Sequence, residues 1–117
     1  MNHIDVMGNL VKDVEVRFTS NQKAIALFTI AENRYNFKTK EKEPQFFMVT
    51  AFGKKAEVIA DHFSKGDKIK VDGHMDFVSY TDAEGSKHEY WRILLEDFEF
   101  CERKRPKEKK EKKEKDA

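Results

Sequence analysis

The chain has 117 residues, of which 38% are charged and 12% aromatic, and its formal net charge is +1. This length allows one compact domain with a real core and is too short for two domains of ordinary size. No apolar run approaches the roughly 20 residues that a membrane helix needs, and "MNHIDVMGNL" lacks the basic start and apolar core of a secretory signal, so we expect a cytoplasmic protein without a membrane partner.

The first part of the chain alternates apolar and polar side chains with period two. Residues 4–6 and 14–18 carry this alternation, and the segment "GNLVKD" separates them. Gly8 permits a bend or a bulge within a continuing strand. The pattern therefore predicts one long, bent first strand.

Two more strands are predicted at residues 24–32 and 46–52, and both faces of the third strand are apolar. Alternation places Phe46, Met48, Thr50 and Phe52 on one face and Phe47, Val49 and Ala51 on the other. A half-exposed strand is normally polar on its solvent side. The third strand is therefore either buried on both faces, or one aromatic face is reserved for a ligand.

One helix and two strands complete the predicted domain. The segment "GKKAEVIADHFSKG" has apolar residues at three- and four-residue intervals, and Gly66 suits the C′ position that ends such a helix. Strands follow at residues 68–77 and 88–100, and Gly73 relieves crowding on the apolar face of the fourth strand. The order β-β-β-α-β-β predicts an all-β fold with one short helix, the five-stranded barrel called the OB-fold.

The C-terminal segment differs in composition from the rest of the chain. The stretch "RKRPKEKKEKKEKDA" has no apolar residue except Ala117, so it cannot bury enough surface to fold alone. We expect an OB-fold domain at residues 1–102 and a disordered Lys/Glu-rich tail at residues 103–117. Residues 102–117 hold nine Lys or Arg against five Asp or Glu, which leaves this segment near +4 and residues 1–101 near −3.

Five blocks of the sequence resemble one protein family in their order and spacing: "MNHIDVMGNLVKDVEVRFT", "AIALFTIAENR", "FFMVTAFGKKAEVIADHFSKGDKIKVDGHM", "SYTDAEG" and "EDFEFCE". They cover about residues 2–102 and resemble the bacterial and phage single-stranded DNA-binding proteins. The resemblance implies an OB-fold that assembles into a homo-oligomer, usually a tetramer, with a dimer as the alternative. It also implies that single-stranded DNA is wrapped without strong sequence preference.

The sequence departs from the pattern of this family at three places. Val14 stands where the family usually has proline, and Phe46 stands where it often has tryptophan, so stacking is kept there with a smaller ring. Family members commonly end in an acidic, Phe-terminated tip that recruits repair and replication enzymes. This sequence ends in a Lys/Glu run instead, so the resemblance does not extend to that route of partner recruitment.

Single strands are bound by cations that follow the phosphates and by flat side chains on which bases stack. Phe46 and Phe52 are six residues, or about 20 Å, apart on one strand face, so they could seat separate bases. We expect base stacking on five aromatic residues, namely Phe46, Phe52, Tyr35, Phe37 and Tyr80. We expect phosphate contacts from six basic residues, namely Arg34, Lys38, Lys40, Lys42, Lys54 and Lys55.

Each of these residue types also has a purely structural explanation. Phe46 and Phe52 are compatible with core or subunit-interface packing, and loop aromatics such as Tyr35 often anchor the loop itself. The lysines at residues 38–42 are also compatible with an ordinary solvated hairpin tip. Trp91 is assigned to the barrel or to an interface rather than to DNA.

No pattern in the sequence predicts a catalytic or metal site. The four histidines are scattered over different elements without ligand-like spacing, and Cys101 is the single cysteine, so it has no partner for a disulfide or a Cys-based metal site. Nucleophile elbows and glycine-rich phosphate loops are also missing from the sequence. We therefore expect no cofactor, no metal and no enzymatic activity.

The sequence predicts a non-catalytic protein that coats and protects single-stranded DNA in replication, recombination and repair, with recombination or replication proteins as further partners. One alternative is an OB-fold accessory of the replication-restart or primosome machinery, in which the aromatic face meets another protein. A second alternative is an OB-fold nuclease, which would need clustered carboxylates and an arginine that together hold metal and phosphate.

Overall fold

A computed structural model describes residues 1–101, which form strands and one short helix. In chain order these elements are β1 (Ile4–Leu10), β2 (Glu15–Phe18), β3 (Ala24–Asn36), β4 (Glu41–Phe52), α1 (Lys54–His62), β5 (Lys68–Thr81) and β6 (Lys87–Phe100). The predicted tail at residues 103–117, and residue 102 of the predicted domain, lie outside the described residues. None of the helical structure within residues 1–101 is long and apolar enough to cross a membrane.

The strands form one sheet that closes into a barrel. Its order is β1-β5-β6-β4-β3-β2, and β1 also pairs with β3 at Asn9 and Leu10, which closes the ring of β1, β5, β6, β4 and β3 and leaves β2 on the outer edge of β3. All pairings are antiparallel except β4 with β6, where Val49 lies opposite Ile93. A parallel pair needs a long crossover, and here α1 and β5 together supply it. The predicted OB-fold, with its helix after the third predicted strand, is confirmed.

The core is built from alternate side chains of the strands. Its largest fully buried members are six branched aliphatic residues, namely Ile30, Ile59, Ile69, Ile93, Val49 and Val71. Helix α1 buries Ala56 and Ile59, and its apolar stripe packs against β3, β4 and β2. Phe63, which follows the helix, stacks on Phe100 with ring centroids 4.9 Å apart. The helix thus covers the barrel on the side of these strands.

The predicted first strand is divided into two strands, β1 and β2. β1 pairs with β5 over residues 4–9, whereas β2 pairs only with β3. Gly8 lies where β1 crosses close to β3: a Cβ atom there would come 2.6 Å from the carbonyl oxygen of Ala31. Gly8 therefore permits a close approach of two backbones, and the prediction of one continuous strand was wrong because the chain changes its pairing partner.

The segments between the predicted strands at residues 33–45 and 78–87 are in part strand. β3 and β4 pair without interruption from Ile25 opposite Phe52 to Asn36 opposite Glu41, and β5 and β6 pair as far as Thr81 opposite Lys87. The sequence did not predict these extensions because the two hairpins project beyond the core. Their side chains are mostly exposed on both faces, so buried and exposed residues do not alternate there. Their backbone groups are satisfied across the hairpins.

The helix also ends earlier than predicted. Phe63 is its C-cap in an extended conformation, so Gly66 does not occupy the C′ position. Gly66 instead has a φ of 92° and donates its N–H to the carbonyl oxygen of Leu10 at 2.9 Å. The glycine therefore shapes the turn that leads from the helix region into β5.

Gly73 marks the point where β5 coils around the barrel. The pairing of β5 with β6 shifts register between Asp72 and Gly73, and a Cβ at Gly73 would lie 2.0 Å from the carbonyl oxygen of Leu94. No real Cβ contact is that short, and the atom it meets belongs to the backbone, so the two strands would have to move apart. The predicted relief of crowding at Gly73 is confirmed.

We expect the substitution Gly73→Ala to lower the free energy of unfolding by about 3 kcal/mol, the upper end of the usual cost of overpacking. Chemical denaturation followed by circular dichroism measures this change. Ser79→Ala, at an exposed position of the same strand, is the matched control and should stay within about 0.5 kcal/mol of wild type. Equal stability of Gly73→Ala and wild type would contradict the close approach of β5 to β6.

Candidate nucleic-acid interface

The two faces of β4 have different environments. Val49 and Ala51 are buried and Phe47 packs against the core, whereas Phe46 and Phe52 keep 62% and 44% of their surface exposed. These two phenylalanines point to the outside of the barrel, together with the exposed Met48 between them. We call this outward side of β3, β4, β5 and β6 the outer face. The double apolar pattern of β4 therefore combines one core face with one exposed aromatic face.

Thr50 is the one outward side chain at residues 46–52 of β4 that is buried, with an exposure of 3%. The guanidinium of Arg92 lies over it, and Nη1 of Arg92 donates to the Thr50 hydroxyl at 3.4 Å. Arg92 also donates from Nε to the Asp76 carboxylate at 3.0 Å. A cation is thus fixed on the outer face between Phe46 and Phe52.

The β3–β4 hairpin extends the outer face away from the barrel. Tyr35 lies opposite Lys42 in the register that also places Ala31 opposite Phe46, so Tyr35, Lys42 and Phe46 share one side of the hairpin. Tyr35 and Phe37 make an edge-to-face contact with ring centroids 4.9 Å apart. Both rings are exposed, so this part of the predicted site presents aromatic surface beside a lysine.

The turn of this hairpin carries two more of the predicted lysines. Lys38 and Lys40 are exposed, and Lys40 has a φ of 61°. The side-chain oxygen of Asn36 accepts hydrogen bonds from the N–H groups of Lys38 and Thr39 at 2.9 and 3.3 Å, which fixes the turn. The lysine side chains therefore project from a defined backbone.

Arg34 is separated from the other predicted residues. Strand alternation directs it to the side of the hairpin opposite Tyr35 and Lys42. Its Nε donates to the Glu32 carboxylate at 3.0 Å in an exposed ion pair. The structure thus does not bring Arg34 together with the aromatic residues of the outer face.

Tyr80 lies at the end of β5, on the second hairpin. Its ring stacks on His88 with centroids 4.9 Å apart and an interplanar angle of 20°. His88 Nε2 is 2.8 Å from a carboxylate oxygen of Asp82. This hydrogen bond is the main cause that lowers the pKa of Asp82, and the N–H of Ser86 acts in the same direction. The orientation of the Tyr80 ring is therefore supported by a chain of contacts within the hairpin.

Lys54 and Lys55 open helix α1, directly after Phe52 and Gly53. Both are exposed. Cations in the first turn of a helix oppose the macrodipole and cost about 0.3–1 kcal/mol each. Their position next to Phe52 places two positive charges at one end of the outer face.

Comparison with known proteins places the chain in a family. Residues 1–101 match the Single-strand binding protein family. The chain belongs to this family. The resemblance predicted from the sequence is thereby confirmed.

Curated relatives of the family agree with this assignment. A single-stranded DNA-binding protein of Clostridium perfringens is 35% identical over 103 residues, which cover 87% of this chain and 67% of the relative. Single-stranded DNA-binding protein 1 of Streptococcus pyogenes is 33% identical over 106 residues, covering 89% and 81%. A single-stranded DNA-binding protein of Halalkalibacterium halodurans is 33% identical, and this chain spans 61% of its length.

Among the aromatic residues of this family member, Trp91 occupies an unexpected place. It lies opposite Phe77 in the β5–β6 hairpin, with ring centroids 5.1 Å apart, on the side that continues the core beyond Ile93. It is 57% exposed, so of the two places predicted for Trp91, the barrel and an interface, the barrel is excluded and the interface stays a prediction. The hairpin carries the ring past the edge of the core, and Trp91 faces away from Tyr80 and Tyr90.

Sequence reasoning did not identify Arg92, Asp76 and Tyr90 as residues of the outer face. The sequence pattern that could have identified these three residues is the alternation of side chains in β5 and β6. It places the three side chains on the side of the sheet opposite to the core residue Ile93. That alternation becomes informative only when the parallel pairing of β4 with β6 is known. Within residues 1–101, no three His, Cys, Asp or Glu side chains are placed to hold a metal ion.

Proposed function

We propose that this protein binds single-stranded DNA, largely without sequence preference, and coats and protects exposed strands in replication, recombination and repair. The proposal assigns no catalytic step to the chain. Its effect comes from occupancy, because a strand held extended on the protein cannot form hairpins, reanneal or enter a nuclease. The proposal places this activity in the cytoplasm, where replication and recombination proteins are its expected partners.

The exposed aromatic face of β4 is the single observation that carries this proposal. Large exposed apolar surfaces on a soluble domain usually mark a binding site. Phe46 and Phe52 are presented on a rigid strand whose opposite face is core, so their ring positions are defined before DNA arrives. Stacking of a base on an aromatic ring contributes about 1–3 kcal/mol and tolerates every base. Tyr35, Phe37 and Tyr80 are proposed as further platforms on the hairpins.

Phosphate neutralisation is the second part of the proposed mechanism. Lys42 shares the outer face with Phe46, Lys38 and Lys40 project from the hairpin turn, and Lys54 and Lys55 follow Phe52. Cations therefore flank the aromatic platforms on both sides. The logarithm of the affinity should fall with the logarithm of the salt concentration by about 0.7 for each phosphate neutralised on a single strand.

A homo-oligomer, with a tetramer favoured over a dimer, is part of the proposal. Within the described residues, residues 4–8 of β1 pair with β5 on one edge and with no strand on the other. An open strand edge is a template for pairing with another chain. Multi-angle light scattering should give about four times the mass of one chain, with twice the mass identifying a dimer. The mass of a single chain at micromolar concentration would overturn this part.

The double variant Phe46→Ala with Phe52→Ala should weaken binding to dT oligomers at least about tenfold, because two stacking platforms are removed. Fluorescence anisotropy of a labelled oligomer measures the dissociation constant. Phe77→Ala is the matched control: Phe77 is 49% exposed, close to Phe52 at 44%, but lies on the opposite side of the sheet.

An unchanged affinity of the double variant, with correct folding confirmed by circular dichroism, would contradict the proposed stacking. That result would favour the accessory role, in which the aromatic face contacts another protein. Loss of binding in the Phe77→Ala control would place the DNA on the wrong side of the sheet for this mechanism.

A further inference from the structure

A cavity of about 220 Å³ opens on the outer face between Phe46 and Phe52. Leu27 and Met48 give it apolar walls from β3 and β4, and Tyr90 adds an aromatic wall from β6. Met48 lies between the two phenylalanines on the same side of β4. A strand stacked on Phe46 and Phe52 would therefore pass over the mouth of this cavity.

One side of the cavity presents fixed hydrogen-bond donors. Arg92 lines it, and its guanidinium is held by Asp76 at 3.0 Å and by Thr50 at 3.4 Å. The Arg92 and Asp76 side chains are only 24% and 33% exposed, so this ion pair is partly withdrawn from solvent. A guanidinium has five N–H donors, and the two bonds that Arg92 makes within residues 1–101 leave three for a ligand.

The cavity also has a side that presents acceptors. Asp13 and Glu15 line it, together with the neighbouring Lys12, from the connection between β1 and β2 and from the start of β2. The Glu15 carboxylate is oriented by Arg17 at 2.7 Å, and Asp13 accepts from the N–H of Lys65 at 2.8 Å. In each case one carboxylate oxygen makes the contact, so the other oxygen can accept a hydrogen bond from a ligand.

We propose that this cavity is a subsite for one guanine base of the bound strand. Guanine carries the acceptors O6 and N7 on one edge, where an arginine can bind both, and an N2 amino donor on the other side. Arg92 contacts O6 and N7, and a carboxylate, Asp13 or Glu15, accepts from the N2 amino group. The volume is below the roughly 300–1,000 Å³ of ordinary ligand pockets, which suits a single base rather than a whole nucleotide.

The other bases match the cavity less well. Adenine has its N6 amino group next to N7, and cytosine has its N4 amino group next to N3, so neither base has two acceptors on one edge and its amino donor on the opposite side, as guanine has. Thymine offers O4 as an acceptor but has no amino donor for the carboxylates. The negative charge of Asp76 compensates Arg92, which makes this arginine a weaker ligand for a phosphate than an unpaired cation. The subsite thus adds a guanine preference to binding that is otherwise sequence-independent, and it rests on the proposed function.

The test uses the full chain and dT oligomers in which one central nucleotide is dT, dG, dA or dC. Anisotropy should show that the dG oligomer binds about fivefold or more tightly than all-dT, the lower end of what one bidentate base contact contributes. Two analogues probe the two sides of the cavity without altering the protein. Inosine lacks the N2 amino group and 7-deazaguanine lacks N7, and each should lose most of the preference.

Arg92→Lys keeps the charge but loses the planar pair of donors, so the ratio of dT to dG dissociation constants should fall below about twofold. Arg34→Lys, on the opposite side of the hairpin, is the matched control and should keep the wild-type ratio. If Arg92→Lys fails to fold, the inosine and 7-deazaguanine oligomers still test the subsite on the wild-type protein.

Three results would overturn the subsite. Equal affinities for the dG and all-dT oligomers, with salt-dependent binding of both, would remove the subsite and leave the proposed function intact. If Arg92→Gln, which removes the charge, weakens binding equally for every base and lowers the slope of log affinity against log salt by about 0.7, Arg92 contacts a phosphate rather than a base. Absence of binding to all four oligomers would overturn the proposed function together with the subsite.

Discussion

The pairing of β4 on both edges is the constraint on which the rest of the molecule depends. β3 holds one edge over the whole strand, and β6 holds the other at Val49 and Thr50. Val49 is buried opposite Ile93, so the register of β4 with its neighbours cannot shift without exposing this core residue. A shift by one residue would bury Phe46 and Phe52 and expose the core side chains. The same contacts that build the core therefore also fix the exposed aromatic rings.

The outer face combines three kinds of chemistry on one rigid sheet. Phe46 and Phe52 offer apolar rings, lysines flank them at the hairpin and at helix α1, and Arg92 is fixed between them by Asp76 and Thr50. In the proposed function, the rings and the lysines act on features that every nucleotide shares. Arg92 differs because its partners orient its donors, and the proposed subsite uses these donors to distinguish one base from another. General binding and a local preference can thus coexist on the same surface.

Much of the fold was predictable from the sequence because alternation in the barrel strands reports burial directly. The two-sided pattern at residues 46–52 and the crowding at Gly73 were predicted correctly for this reason. The hairpin extensions were missed because their side chains face solvent on both sides. The division of the first strand was missed because the change of pairing partner, from β5 to β3, does not alter the alternation of apolar and polar side chains.

The candidate site was predictable in part. Aromatic and basic residues near β4 could be named, but whether Arg34 shares a side with Phe46 depends on the register of β3 with β4. Arg92 and Tyr90 join the outer face only through the parallel contact of β4 with β6, which pairs residues more than 40 positions apart. The hydrophobic pattern within one segment of the sequence does not reveal a contact between two distant segments. Trp91 shows the same limit, because its apolar side chain suggested either the barrel or an interface, and only the structure shows that its hairpin extends beyond the core.

Photochemical cross-linking can determine whether single-stranded DNA lies on the outer face, as proposed. A dT oligomer containing 5-iodouracil at successive positions would be irradiated on the wild-type protein, and the modified residues identified by mass spectrometry. We expect cross-links at Phe46, Phe52, Tyr35 and Tyr80. Cross-links concentrated on Phe77 and Trp91 would contradict the account, because those rings lie on the other side of the sheet.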